Sequence, residues 1–132
     1  MDEVEKIEYW LDLAEYDLGV AESLFRDKKY LYVGFFCHLI IEKTLKAYYW
    51  YKLKSEPPFT HNLVLLADKS GLITELTDEQ IRFLNMLIPL NIDGRYPSDK
   101  QLLMQQLTED RIIDILNQTK SLQKWIKGLI KF

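Results

Sequence analysis

Apolar residues in the first part of the chain recur at alternating steps of three and four positions. This spacing aligns them along one face of an α-helix of about six to seven turns. Most charged residues of the segment fall outside that face, where water can solvate them. The pattern predicts an amphipathic helix that packs through a single apolar stripe, formed by Val4, Ile7, Leu11, Ala14, Leu18, Ala21 and Phe25.

The second segment, from Leu31 to about Leu53, is apolar on almost every side in its first half. A helix without a polar side is normally surrounded by other elements. We therefore expect this helix at the centre of a bundle or against a partner chain. Pro57 and Pro58 end the segment, because proline lacks a backbone donor and restricts the residue before it.

Shorter helical patterns follow the two prolines. The residues from Asn62 to Ser70 predict a short helix, and Gly71 is placed for a left-handed C-terminal cap. Thr77 and Gln80 match the capping box, in which the two side chains satisfy each other's backbone N–H groups. They predict the start of another helix, which Pro89 ends or kinks.

The last part of the chain contains a loop, Asn91 to Ser98, and a long helical pattern that Thr108 can cap. No segment shows the strict alternation of a strand. We therefore predict one all-α domain over residues 1–132, folded as a four- to five-helix up-and-down antiparallel bundle.

Charge and composition exclude several classes of function. The net charge is −3 and the isoelectric point is near 5.4, so nucleic-acid binding would need a local basic patch. The longest apolar stretch, Tyr30 to Ile41, is too short to span a bilayer. The acidic first residues do not match a secretory signal, and Cys37 is the only cysteine. We expect a cytoplasmic protein that does not bind membranes.

Common catalytic motifs are absent from the sequence. There is no glycine-rich phosphate loop, no His-Glu-x-x-His, and no glutamate with a histidine three residues later. We therefore expect neither a metal site nor a cofactor. The remaining polar feature of the second helix is His38, Glu42 and Lys46, spaced by four on one face. This row is either a structural helical pair beside a core histidine or a buried polar line that binds a ligand.

Two loops carry further candidates. His61 lies beside Thr60 and Asn62, which can cap the short helix, so His61 would sit near its positive end and could donate to a phosphate. Arg95 stands between Gly94 and the Tyr96-Pro97 step, and its guanidinium is suited to a phosphate or carboxylate. Each residue has an equally simple structural interpretation, as a surface histidine or as an arginine tied to loop carbonyls.

An aromatic run, Tyr48 to Tyr51, stands among four lysines. Aromatic and basic residues together can stack bases and neutralise phosphates. More commonly, such a run packs against the core on one side and forms an amphipathic surface on the other. The sequence also contains no second basic cluster that would extend a nucleic-acid binding surface. The lysines are Lys43, Lys46, Lys52 and Lys54.

Several of these features form an ordered set, which comprises Ala14-x-x-Asp17-Leu18-x-x-Ala21, Tyr30 to Phe36, Ile41-Glu42-Lys43-x-Leu45-Lys46-Ala47, Pro58-x-Thr60-His61-x-Leu63-x-x-Leu66 and Arg95-Tyr96-Pro97. The set resembles the HEPN family, named for higher eukaryotes and prokaryotes nucleotide-binding. The resemblance extends from about Ile7 to Pro97. It implies a four- or five-helix bundle that commonly forms a homodimer.

The resemblance also implies partners and activities. Members of the family are often encoded beside a small nucleotidyltransferase and pair with it, as a toxin–antitoxin system or a nucleotide-handling complex. Many are metal-independent ribonucleases that use an arginine followed four to six residues later by a histidine. No arginine of this chain has a histidine at that spacing, and the positions after Arg95 hold Asp99, Lys100 and Gln101.

The leading hypothesis is a non-catalytic, dimeric module that binds a nucleotide or pairs with a nucleotidyltransferase. Arg95 and Lys46 would face phosphate, and His61 would donate a hydrogen bond. Asp17 and Glu42 would orient the basic groups. The expected ligand-binding residues are Asp17, Glu42, Lys46, His61, Arg95 and Tyr96.

Two rival hypotheses remain. In a metal-independent ribonuclease, Arg95 would stabilise the developing negative charge and His61 would act as the base. The missing arginine–histidine spacing weakens this hypothesis, so a binding module is favoured over an enzyme. In a purely structural interaction scaffold, Arg95 and Asp17 would form a buried salt bridge that closes the loop onto the first helix.

Overall fold

Six α-helices and two short 3-10 segments make up the chain in a computed structural model that describes all 132 residues. There is no β-strand, so the prediction of an all-α bundle is confirmed. The helices are α1 (Glu3–Arg26), α2 (Tyr30–Leu53), α3 (Leu63–Lys69), α4 (Asp78–Leu87), α5 (Pro97–Gln106) and α6 (Glu109–Leu129), and the 3-10 segments are Leu72–Glu75 and Ile88–Leu90.

Polar side chains define where several helices begin. The Asn62 side-chain oxygen accepts from the backbone N–H of Leu65 at 3.1 Å and caps α3. The predicted capping box of α4 is present, since Thr77 and Gln80 each accept from the other's backbone N–H. Thr108 caps α6 in the predicted way. Each such cap stabilises a helix by about 0.5–2 kcal/mol.

The central helix is α2, which packs against α1 and α6 and also contacts α3, α4 and α5. Its apolar side chains are buried on several sides, as the sequence pattern predicts, and they include Val33, Cys37, Ile40, Ile41 and Leu45. A smaller cluster joins the start of α1 to the end of α2 through Ile7, Leu11, Ala47 and Trp50. None of the helices is both long enough and apolar enough to cross a membrane.

The connection after α2 reverses the direction of the chain. Lys54 adopts a left-handed conformation with φ +54° and donates its backbone N–H to the Trp50 carbonyl at 2.9 Å. Pro57 is buried shortly afterwards. The chain then runs back along α2, so that His61 reaches Glu42, which lies about 16 Å before the end of the helix at a rise of 1.5 Å per residue. This reversal brings the loop to the polar row of α2.

The number of helices differs from the prediction, because the chain has six rather than four to five. The missed helix is α5, which begins at Pro97, inside the segment from Asn91 to Ser98 that the sequence indicated as a loop. No residue of α5 is buried. A helix without a buried face has no apolar stripe, and its sequence therefore lacks the periodic signal on which helix prediction depends.

Leu45→Ala should strongly destabilise the bundle, because Leu45 is fully buried in the middle of α2. We expect the free energy of unfolding to fall by about 2–5 kcal/mol, measured by urea denaturation. Leu102→Ala on α5 removes the same atoms from a residue that is 58% exposed and should change that free energy by less than about 0.5 kcal/mol. Equal effects of the two substitutions would contradict the placement of the core.

Candidate ligand-binding site

The polar row of α2 lies inside the protein. His38 is completely buried, and Glu42 and Lys46 are almost completely buried. The Lys46 ammonium donates to Oε2 of Glu42 at 3.1 Å, so the carboxylate has a charged partner within the same helix. Removing charged groups from water is unfavourable unless they are paired and hydrogen-bonded. The row is therefore an ion pair that needs further partners.

The loop before α3 supplies one such partner. Asn62 caps α3, and its own backbone N–H donates to the Thr60 hydroxyl at 3.1 Å, so the residues on both sides of His61 are fixed. The His61 Nδ1 lies 2.8 Å from Oε1 of Glu42. Since a carboxylate can only accept, Nδ1 carries the proton and donates it. The His61 side chain is 53% exposed, and its Nε2 makes no hydrogen bond within the protein.

His38 contacts the same loop from one turn earlier on α2. Its Nε2 lies 3.0 Å from the backbone carbonyl oxygen of His61 and donates to it. Its Nδ1 is buried without a hydrogen-bond partner, 3.8 Å from Oε1 of Glu42. Burial lowers the pKa of His38, and the nearby Glu42 carboxylate opposes that shift only in part. The folded protein therefore favours a neutral His38.

Aromatic rings flank the cluster of Glu42, Lys46 and His61. The Lys46 ammonium lies 5.2 Å from the centre of the Trp10 ring on α1, within the range of a cation–π contact. Phe59 is 98% exposed, and its ring centre is 6.3 Å from that of His61. Neither Trp10 nor Phe59 was predicted, because Trp10 lies beside the apolar stripe of α1 and Phe59 follows two prolines without any motif of its own.

The structure does not join Asp17 to this cluster. Asp17 is buried on α1 and forms an ion pair with Lys43 of α2. Asp17 was expected to orient the basic groups of the site, but it contacts neither Lys46 nor His61. Its ion-pair partner, Lys43, is not part of the polar row. The Asp17–Arg95 salt bridge considered for a scaffold is not formed. Asp17 and Lys43 instead link α1 to α2.

Arg95 and Tyr96 also make no hydrogen bond or ion pair with the cluster. The Arg95 Nε donates to the Asn91 carbonyl of its own loop at 3.3 Å, and the guanidinium makes no ion pair. Tyr96 is largely exposed at the start of α5. Of the predicted ligand-binding residues, hydrogen bonds therefore connect Glu42, Lys46 and His61 and leave out Asp17, Arg95 and Tyr96. Sequence spacing could not show this, because it holds no information about the paths of the loops.

The aromatic run at the end of α2 is mainly a packing element. Tyr48 and Trp50 are buried, and Tyr49 and Tyr51 are half-buried. Trp50 belongs to the small cluster with α1 and carries the Lys6 ammonium over its ring at 4.3 Å. These contacts favour the structural interpretation over a surface for stacking bases.

Other chemistry has little support in the fold. No group of histidine, cysteine, aspartate and glutamate side chains is arranged to hold a metal ion. Burial raises the pKa of the Cys37 thiol to about 11, which disfavours the thiolate that a nucleophile would need. The two large grooves between α4 and α6, near Phe83 and Gln118, contain none of the candidate residues. The cluster around Glu42 is therefore the best candidate site.

The fold and this cluster define the class of the protein as an all-α bundle with a buried acidic residue that holds an exposed histidine. The sequence matches the family profile of the HEPN domain over residues 7–129, nearly the whole chain, and the protein belongs to the HEPN domain family. No curated protein and no solved structure matches the chain significantly.

The stability of the fold should depend on the protonation of His38. In the unfolded chain a histidine binds a proton near pH 6.5, whereas burial disfavours the charged form of His38 in the fold. Just below that pH the unfolded state therefore binds more protons, and the free energy of unfolding falls as the pH is lowered. His38→Gln cannot titrate and should lose less stability between about pH 7.5 and about pH 5.5.

Urea denaturation of both proteins at the two pH values measures this difference. The two proteins differ only at position 38, so the comparison isolates the contribution of His38. The same loss of stability in the wild type and in His38→Gln would contradict the burial of a neutral ring.

Proposed function

We propose that this protein is a non-catalytic HEPN module that binds a nucleotide through the cluster of Glu42, Lys46 and His61. The observation that carries the proposal is the hydrogen bond from His61 Nδ1 to the buried Glu42 carboxylate. That bond fixes the ring and leaves its Nε2 at the surface. A binding role explains why a charged row is kept in the interior in spite of its desolvation cost.

The exposed edge of His61 suits a phosphate group. A protonated imidazole can donate from Nε2 to a phosphate oxygen, and the Glu42 carboxylate behind the ring stabilises that positive charge. Lys46 adds a second positive charge one helical turn beyond Glu42. The exposed ring of Phe59 beside His61 offers a face on which a base can stack. A nucleotide contains both an aromatic base and an anionic phosphate.

Arg95 stays in the proposal as a second contact for phosphate. Its guanidinium makes one hydrogen bond, from Nε to the Asn91 carbonyl, so its remaining N–H groups are free to meet an anion. Tyr96 follows directly and is exposed. Asp17 is not part of the proposed site, because its carboxylate forms an ion pair with Lys43.

The proposal extends to a partner chain. Membership of the HEPN family supports a homodimer that pairs with a small nucleotidyltransferase in the cytoplasm, as a toxin–antitoxin system or a nucleotide-handling complex. The net charge of −3 gives the protein no general attraction for nucleic acid, which favours a small nucleotide or a protein partner over long RNA. A neighbouring reading frame that encodes a nucleotidyltransferase would support this part of the proposal.

His61→Ala and Arg95→Ala should each weaken nucleotide binding without unfolding the bundle. We expect a loss of about tenfold or more in affinity for the best of ATP, GTP, CTP and UTP, measured by isothermal titration calorimetry, which is about 1.4 kcal/mol. Arg26→Ala is the control, because Arg26 is an exposed arginine on α1 that bonds only to Ser23 of its own helix. Unchanged affinity in both site variants would contradict the proposal.

A metal-independent ribonuclease is the second candidate function. The observation that favours it is the carboxylate–imidazole pair of Glu42 and His61, since a histidine that donates Nδ1–H to a carboxylate can accept a proton at Nε2. His61 would take the proton of the 2′-hydroxyl, and Arg95 would stabilise the negative charge on the phosphate. The missing arginine–histidine spacing and the lack of a contact between Arg95 and His61 count against it.

The ribonuclease hypothesis predicts that the purified protein cleaves a single-stranded RNA oligomer in the presence of EDTA. His61→Ala should abolish cleavage, Glu42→Gln should reduce it, and Arg26→Ala purified in the same way should retain it. Intact RNA at high protein concentration would eliminate this candidate and leave the binding module.

A further inference from the structure

Two consecutive turns of α2 hold the same loop residue. His38 donates from Nε2 to the backbone carbonyl of His61 at 3.0 Å, and Glu42 accepts from the His61 ring at 2.8 Å. One bond therefore fixes the main chain of His61, and the other fixes its side chain. A loop residue held at both ends has far less freedom than one held by its ring alone.

The partners also determine which ring nitrogen of each histidine carries a proton. A carbonyl and a carboxylate are both acceptors, so His38 is protonated at Nε2 and His61 at Nδ1. In their neutral forms the two histidines are thus opposite tautomers. His38 Nδ1 has no hydrogen-bond partner, and this nitrogen lies 3.8 Å from Oε1 of Glu42.

We propose that His38 is a positioning residue, which holds the His61 backbone so that the His61 ring keeps its Nδ1–H on Glu42 and its Nε2 open to the ligand. His38 itself is completely buried and does not touch a ligand. The importance of this role for binding rests on the proposed function, whereas the tautomers and the hold on the loop do not depend on it.

The charged and titratable groups around His38 fit a neutral ring. Glu42 and Lys46 face it from α2, and His61 faces it from the loop. A proton on His38 Nδ1 would create a second donor beside Oε1 of Glu42, the oxygen that already accepts from His61. Lys46 and a protonated His61 would also repel a charge on His38. The neutral form therefore keeps Glu42 available to His61.

Nuclear magnetic resonance can test the proposal directly, because the chain contains only two histidines. The ¹⁵N shifts of the imidazole rings at neutral to mildly alkaline pH distinguish the two tautomers. In the wild type we expect Nε2–H for His38 and Nδ1–H for His61. A proton on Nδ1 of His38, or a His61 ring that populates both tautomers, would overturn the proposal without any variant.

Two substitutions then separate positioning from packing. His38→Gln keeps an N–H donor of similar reach and should preserve the single Nδ1–H tautomer of His61. His38→Leu fills the space but cannot donate, and the His61 ring should then populate both tautomers. A single Nδ1–H tautomer in folded His38→Leu, or its loss in folded His38→Gln, would contradict the proposal. If His38→Leu does not fold, His38→Met, which also cannot donate a hydrogen bond, replaces it in the same measurement.

Titration of the same samples with ATP tells the two proposals apart. If both are correct, ATP shifts the His61 resonances in the wild type and in His38→Gln, and it binds more weakly to His38→Leu. If the tautomers are as expected but ATP, GTP, CTP, UTP and RNA all leave the His61 resonances unchanged, the positioning role stands and the proposed function fails. A third outcome is that ATP binds equally well to the wild type and to His38→Leu although the His61 tautomers are mixed in the variant. Positioning by His38 would then not be important for ligand binding.

Discussion

The carboxylate of Glu42 is the constraint on which the arrangement of this protein depends. A negative charge inside a helical bundle is strongly unfavourable unless donors surround it, and the partners must come from wherever the chain can supply them. Lys46 supplies one from the next turn of the same helix, and His61 supplies another from a distant loop. The loop is therefore tied to α2 by an electrostatic requirement as well as by apolar packing, and the exposed histidine is a result of satisfying a buried group.

The segment between α2 and α3 is held in place at both of its ends. Lys54 turns the chain back in a left-handed conformation, and Asn62 caps α3 a few residues later. Between them the chain has little freedom, because Pro57 is buried and Thr60 accepts from the Asn62 backbone. His61 thus occupies a surface position whose geometry is determined by interior and backbone contacts. Ligand sites of this kind lose little conformational entropy on binding, because the protein has already ordered their side chains during folding.

The sequence predicted the parts of the fold that depend on periodicity and local capping. The stripe of α1, the apolar α2, the Asn62 cap and the Thr77–Gln80 capping box are all local features. Each one is present in the structure, except that Val4 at the start of the stripe is exposed. The row of Glu42 and Lys46 was visible from its spacing. The bond from His61 to Glu42 was not, since it joins positions 19 residues apart through a loop whose path is set by tertiary contacts. The partner of Asp17 was hidden for a similar reason, because its neighbour across the helix interface is Lys43, 26 residues away along the chain.

The helix α5 differs from the other helices of the bundle in how little it packs against the core. It contributes no buried side chain, and residues such as Leu102 and Met104 are largely exposed. Only the partly buried Leu103 packs against the core, so we expect hydrogen exchange in α5 to report a local fluctuation and not global unfolding. This independence also makes the segment tolerant of insertions and sequence changes. The surface formed by α5 can therefore be remodelled by evolution or by engineering while the interior that holds Glu42 stays the same.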